Sequence, residues 1–163
     1  MPVILQLIQE LADYEKESNA VEATHESLLN TLAFAPSTLG AVEDPISASR
    51  PARALLILTP AGNPAGLALY FYNYSTWRSR HGIYLEDLYV RASERGHGYG
   101  QKLLATLAQE VLDTNGGRLE WSVLKWNTPS IGFYESIGAK AMTEWQTMRV
   151  DGEGLKGLAK RAE

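Results

Sequence analysis

The chain of 163 residues contains no cysteine. Disulfides, thiolate metal sites and a cysteine nucleophile are therefore outside its chemistry. It has three histidines, His25, His81 and His97, spaced too widely to make a ligand pair, so no zinc site is expected. Basic clusters are missing as well. Lys and Arg total 15 against 19 Asp and Glu, and no basic run exceeds a residue or two. A nucleic-acid binder carries a basic patch, so none is expected as a partner. The formal net charge of -4 is compatible with a cationic ligand. No apolar run reaches the roughly 18–20 residues needed to cross a bilayer. The start, Met1-Pro2-Val3-Ile4-Leu5-Gln6, lacks the basic segment of a signal peptide, so a cytoplasmic protein is expected. Asn73-Tyr74-Ser75 matches a glycosylation sequon, which in that setting is a chance match.

What remains is ordinary for a folded domain. Hydrophobic residues make up 45% and charged residues 21%. The length suits one domain over 1–163 with a substantial core. Ile4, Leu7, Ile8 and Leu11 fall at helical spacing, which predicts an amphipathic helix over 3–15. Asn19 and Glu22 suggest another turn, and Leu28, Leu29 and Leu32 a second short helix. Residues 35–51, with three prolines, read as a loop. Ala54 to Leu58 and Gly66 to Tyr74 read as a hairpin around Pro60–Pro64, and Ile83 to Val90 as a third strand. Leu103, Leu104, Leu107, Ala108, Val111 and Leu112 predict a strong helix that ends at Gly116-Gly117. A strand over 118–124 follows, then a helix with Thr128 as N-cap and Pro129 at its first position, running to Ile137. A final strand over about 143–150 and a short polar tail complete the chain. The order predicts a mixed α/β (α+β) fold, a mostly antiparallel twisted sheet flanked by helices.

Between the third strand and the strong helix lies Arg95-Gly96-His97-Gly98-Tyr99-Gly100. Glycines permit positive φ and close backbone approach. Successive N–H groups and the positive end of the next helix then make a pyrophosphate cradle, with Arg95 as a fixed cation. A glycine-rich turn without a ligand is the alternative. Two nucleotide readings fail on spacing. A dinucleotide fingerprint would place its third glycine where Gln101 stands, and a P-loop needs Gly-Lys-Ser/Thr where the chain has Gly100-Gln101-Lys102.

Arg95, Gly98 and Gly100 match the Arg/Gln-x-x-Gly-x-Gly/Ala motif, and on them the chain resembles the GNAT N-acetyltransferase superfamily. Tyr84–Val90, Trp126–Tyr134 and Tyr14-Glu15 are similar to the diamine (spermidine/spermine) and thialysine N-epsilon-acetyltransferase branch. The likeness runs from about residue 4 to 150. It implies acetyl-CoA as co-substrate, no metal, a small-molecule amine as partner and a homodimer. It also implies cofactor contacts at Leu88, Tyr89 and Val90, at Arg95 to Gln101, and at Asn127, Ser130 and Phe133.

Glu86 and Asp87 sit side by side in an otherwise apolar strand. They are either solvated acids on an exposed edge or functional groups, since burying a carboxylate without a partner is costly. An alkyl amine, with a pKa of roughly 10, must lose a proton before it attacks a thioester, and a carboxylate both attracts it and takes the proton. The resemblance gives Glu86 that role, directly or through water, Asp87 a part in holding the amine, and the Leu88 N–H that of oxyanion donor. Tyr134 is either a core tyrosine or, as the resemblance implies, the general acid for the leaving thiolate. Tyr14, Glu15, Ser75, Thr76 and Trp77 complete the implied acceptor site. Polyamine-preferring relatives carry an Asp where this chain has Ser75, which favours a lysine-like or short diamine substrate over spermidine or spermine. A protein acetyltransferase and a non-catalytic acetyl-CoA-binding module remain as alternatives.

Overall fold

In the computed structural model, which describes residues 1–33 and 46–162, four strands form one sheet in the order β1-β2-β3-β4. β1 (Arg53–Leu58), β2 (Pro64–Ser75) and β3 (Arg80–Val90) are antiparallel neighbours, and β4 (Leu119–Trp121) joins β3 in parallel. The sheet is the mixed, mostly antiparallel one that the element order predicts.

Side-chain alternation assigns its two faces. Leu67 and Leu69 of β2 meet Ile4 and Leu7 of α1 (Pro2–Glu15) and Leu28 of α2 (His25–Thr31) in one buried cluster. Burial of a side chain such as Leu7, which is wholly enclosed, contributes about 2 kcal/mol. Tyr70 and Tyr72 point to the opposite face. Both hydroxyls donate to the Glu110 carboxylate of α3 (Tyr99–Asp113), Tyr70 at 2.9 Å. The buried stripe of α3 is Leu103, Leu104, Leu107 and Val111. Ala108 and Leu112 face outward, a correction to the expected apolar face: the sheet covers a stripe only one side chain wide along the last turns.

Other boundaries shift for local reasons. The second short helix forms as α2, with Thr24 as N-cap and Thr24 and Ser27 capping each other reciprocally, while the turn expected at Asn19–Glu22 does not become helix. The strand expected over 118–124 pairs only at 119–121. Asn127, not Thr128, is the N-cap of α4 (Thr128–Ser136), its side-chain oxygen accepting from the Ser130 N–H at 3.3 Å. The strand expected over 143–150 is absent; this stretch holds no strand pairing among the described residues. The expected polar tail instead forms α5 (Gly152–Ala159), which Leu155 and Leu158 make amphipathic. Most of the expected loop over 35–51 lies outside the described residues. The chain forms two compact units, Met1–Leu124 with the whole sheet and Lys125–Glu163 with α4 and α5.

Candidate active site

β3 carries the site because its pairing changes halfway along. Leu69 faces Asp87 and Tyr70 faces Leu85, so Glu86 is an extra residue, a β-bulge. On the other side, pairing with β4 ends at Leu85 with Trp121. From Glu86 to Val90 that edge has no strand beside it among the described residues. The Arg91 N–H donates to the Ala65 carbonyl on the β2 side at 3.0 Å. By alternation, the N–H groups of Leu88 and Val90 point the other way, along the open edge. An extended chain laid there would find a backbone ready to pair.

The bulge gathers acids. Glu86 is exposed and Asp87 is half-buried. Burial, and then the charges of Glu86 and Glu15, push the Asp87 carboxyl up to about 6. Glu15 at the end of α1 is raised as well, by burial and then by Glu17. Three carboxylates therefore share one region, and among the described residues no lysine or arginine offsets Asp87. Such a group of anions favours a cationic guest.

At the far end of β3 the glycine segment turns into α3. Gly96 and Gly98 have φ of 82° and 75°, values that side chains rarely adopt, and a Cβ on either would touch nothing. The glycines are there for backbone conformation and not for want of space. Gly98 is the N-cap of α3 and provides no side-chain cap, and the first backbone N–H to bond within the helix is that of Lys102, to the Gly98 carbonyl. The N–H groups of Tyr99, Gly100 and Gln101 thus remain for an outside acceptor, beside the positive end of the helix dipole. This is the arrangement that holds a pyrophosphate. His97 stacks on Tyr99 with ring centroids 5.8 Å apart, and its Nδ1 lies 3.1 Å from the Glu94 carbonyl.

Arg95 is held in place from below. Its Nε donates to the Val90 carbonyl at 3.1 Å, and its guanidinium lies 4.9 Å from the Tyr14 ring centroid and 5.9 Å from that of Tyr89. Two further residues, not singled out from the sequence, brace this end. Glu10 receives Arg91 through both carboxylate oxygens at 3.0–3.2 Å, and Arg91 also donates to the Pro64 carbonyl at 3.0 Å. Burial, and then Glu10, push the Tyr89 phenol up. The one sequence signal for this brace is Glu10's place on α1, a turn before Tyr14.

At the β2–β3 turn the expected acceptor residues separate. Ser75 is buried and its hydroxyl accepts the Arg78 N–H at 3.3 Å, which occupies it in the turn itself. Thr76 sits in the turn and Trp77 is almost wholly exposed, at 89%. In the second unit, Asn127 is buried as the α4 cap, Ser130 lies in the first turn, and the Phe133 and Tyr134 rings pack 5.4 Å apart. Glu15, Glu86 and Asp87 thus come together, as do Tyr14, Tyr89 and Arg95. No three acidic or histidine side chains among the described residues are grouped as a metal site.

Comparison with known proteins bears on the family and the fold. The sequence pattern of the acetyltransferase (GNAT) family matches residues 23–139. The chain is 37% identical to the thialysine N-epsilon-acetyltransferase of Bos taurus over 96% of its own length and 89% of that protein. It is 38% identical to the L-ornithine N5-acetyltransferase of Arabidopsis thaliana over 59% of its length and 42% of that protein. Among solved structures, an integron cassette protein from the mobile metagenome of V. cholerae superposes with a TM-score of 0.73 at 27% identity, over 96% of this chain and 90% of that one.

Proposed function

Because the chain belongs to the acetyltransferase (GNAT) family and is an acetyl-transferring enzyme acting on an amine, we propose that its acceptor is the side-chain amine of a lysine-like amino acid or a short diamine. The observation that carries this reading is the order of features along β3: acids at the bulge, then an open strand edge, then the glycine cradle. The relatives named for thialysine and ornithine both act on amino acids with a distal amine, which supports the choice.

Bound acetyl-CoA supplies the acetyl thioester. The N–H groups at the start of α3 and the Arg95 cation hold its pyrophosphate, and the open edge over Leu88, Tyr89 and Val90 receives its extended arm. Asn127, Ser130 and Phe133 make further contacts to it. Glu15, Glu86 and Asp87 attract the ammonium. Glu86, the exposed member, takes its proton through water. The Leu88 N–H steadies the negative charge that develops on the carbonyl oxygen. Tyr134 gives a proton to the departing sulfur. Thr76 and Trp77 border the acceptor, while Ser75 shapes the turn that carries them. The protein works as a cytoplasmic homodimer; the exposed Met142, Trp145, Met148 and Leu155 of the second unit supply apolar surface for such a contact.

The test is CoA release with thialysine, lysine, ornithine, putrescine, spermidine and a lysine peptide, in wild type and in Tyr134→Phe. Thialysine or lysine is expected to give the highest kcat/KM. Tyr134→Phe is expected to lower kcat by about 10²–10⁴ with little change in the KM for acetyl-CoA. A higher kcat/KM on spermidine overturns the choice of amine. Binding of acetyl-CoA without turnover of any amine overturns the enzyme mechanism.

A further inference from the structure

The face of the sheet that carries Asp87 continues past the acids toward β4. α1 and α2 cover its Leu67–Leu69 half. Beyond them, Phe71 and Tyr84 form a half-buried aromatic pair with centroids 5.2 Å apart. Next to Tyr84 in the register stands Glu120. The Asn73 Nδ2 donates to the Glu120 Oε2 at 2.8 Å, and the Arg118 Nε lies 2.7 Å from the same oxygen. Both Arg118 and Glu120 remain about one-third exposed. Gly82 makes the arrangement possible. A Cβ there would lie 2.7 Å from the Asn73 Oδ1 and 2.9 Å from the Arg118 Cγ, so any side chain would displace both. A cation is thus held on this face beside one carboxylate, with about a third of its side chain exposed.

We propose that Arg118, oriented by Glu120 and Asn73 over Gly82, is the specificity residue that recognises the α-carboxylate of an amino-acid acceptor. The inference rests on the proposed acceptor class and names the group that selects it. Geometry supports it. Asp87 stands three positions along β3 from Tyr84, the register partner of the Glu120 whose carboxylate lies against the Arg118 Nε; at about 3.3 Å per residue, shortened by the bulge, that is roughly 7–10 Å. A lysine-like side chain, with bonds of about 1.5 Å, places its carboxylate roughly 8 Å from its distal nitrogen. The aromatic pair lies under the methylenes or the sulfur of such a chain. A guanidinium offers a planar fork to a carboxylate, and Glu120 stands as an ion-pair partner against its Nε. A diamine has nothing to give this cation.

The experiment compares thialysine with its decarboxylated counterpart, bis(2-aminoethyl) sulfide, in wild type, Arg118→Gln and Arg118→Lys. In wild type the amino acid is the better substrate. Arg118→Gln is expected to lower the ratio of kcat/KM for amino acid over diamine at least tenfold, through KM, and Arg118→Lys to lower it less. Equal losses on both substrates mean that Arg118 only braces β4, and overturn the inference while leaving the acceptor class standing. Wild-type turnover of the diamine alone overturns both the inference and the amino-acid acceptor. Calorimetric titration with thialysine gives a readout that needs no turnover; unchanged affinity in Arg118→Gln also overturns the inference.

Discussion

At the residue scale, conformation and charge make separate demands. Gly98 needs positive φ but has open space around it, so Gly98→Ala is expected to cost about 1–2 kcal/mol of stability. Its larger effect falls on the cradle, and a several-fold rise in the KM for acetyl-CoA, read from initial rates, is the check. The resemblance places Tyr14 at the acceptor site. Its ring lies against Arg95, 4.9 Å from the guanidinium. Tyr14→Ala is therefore expected to raise the KM for acetyl-CoA more than that for the amine, and Tyr14→Phe, which keeps the ring face, to raise it less than Tyr14→Ala does. The opposite pattern returns Tyr14 to the acceptor site. The acids and the glycines were legible in the sequence because their types alone state their chemistry. Arg95's aromatic support was not, since Tyr14 and Arg95 are 81 positions apart and no local pattern joins them.

At the element scale, α3 is joined to the sheet by its leucine stripe and by one carboxylate. Glu110 receives both Tyr70 and Tyr72, and burial and then the Glu110 hydrogen bond push the Tyr70 phenol up. Glu110→Ala leaves a buried hydroxyl without its partner. The expected loss is about 2 kcal/mol, a fall in Tm of roughly 4–8 °C in a thermal melt. No change would mean that the leucine stripe alone fixes the helix. Periodicity announced the stripe but not its width: Leu112 repeats in step and still faces outward, 72% exposed. Nor could periodicity show how β3 and β4 part. Residues 118–124 have strand composition, yet pairing lasts only while a neighbour is in register, and the bulge ends it at Trp121.

At the scale of the whole molecule, the acids that attract an amine burden the fold. The Asp87 carboxyl is raised from 3.8 to about 6, so the folded state holds its proton more tightly than the unfolded one. This group's contribution to stability is present in full below pH 3.8 and is lost as pH rises through about 6. Asp87→Asn is therefore expected to stabilise the protein at pH 7.5 by on the order of 1–2 kcal/mol, discounted for solvent screening, with the gain vanishing near pH 4. Denaturant titrations at both pH values check it, and an equal effect at both overturns it. The sheet class and the order of elements were legible because hydrophobic period and turn residues are local. The face shared by Asn73, Gly82, Arg118 and Glu120 was not, because it exists only once three strands are in register.

That register also constrains how this strand can vary. Glu86 puts the two halves of β3 out of phase, so Tyr84 and Asp87, an odd number of positions apart, look out from the same side. Removing one residue there would restore even parity to the ladder. It would leave Asp87 and Tyr84 on one side, then two positions apart, and would remove the irregularity at which pairing with β4 stops. Drawing Glu86 into the ladder in step, with no residue removed, is what would turn one half of the strand over; the extra residue keeps Asp87 and Tyr84 on a common face.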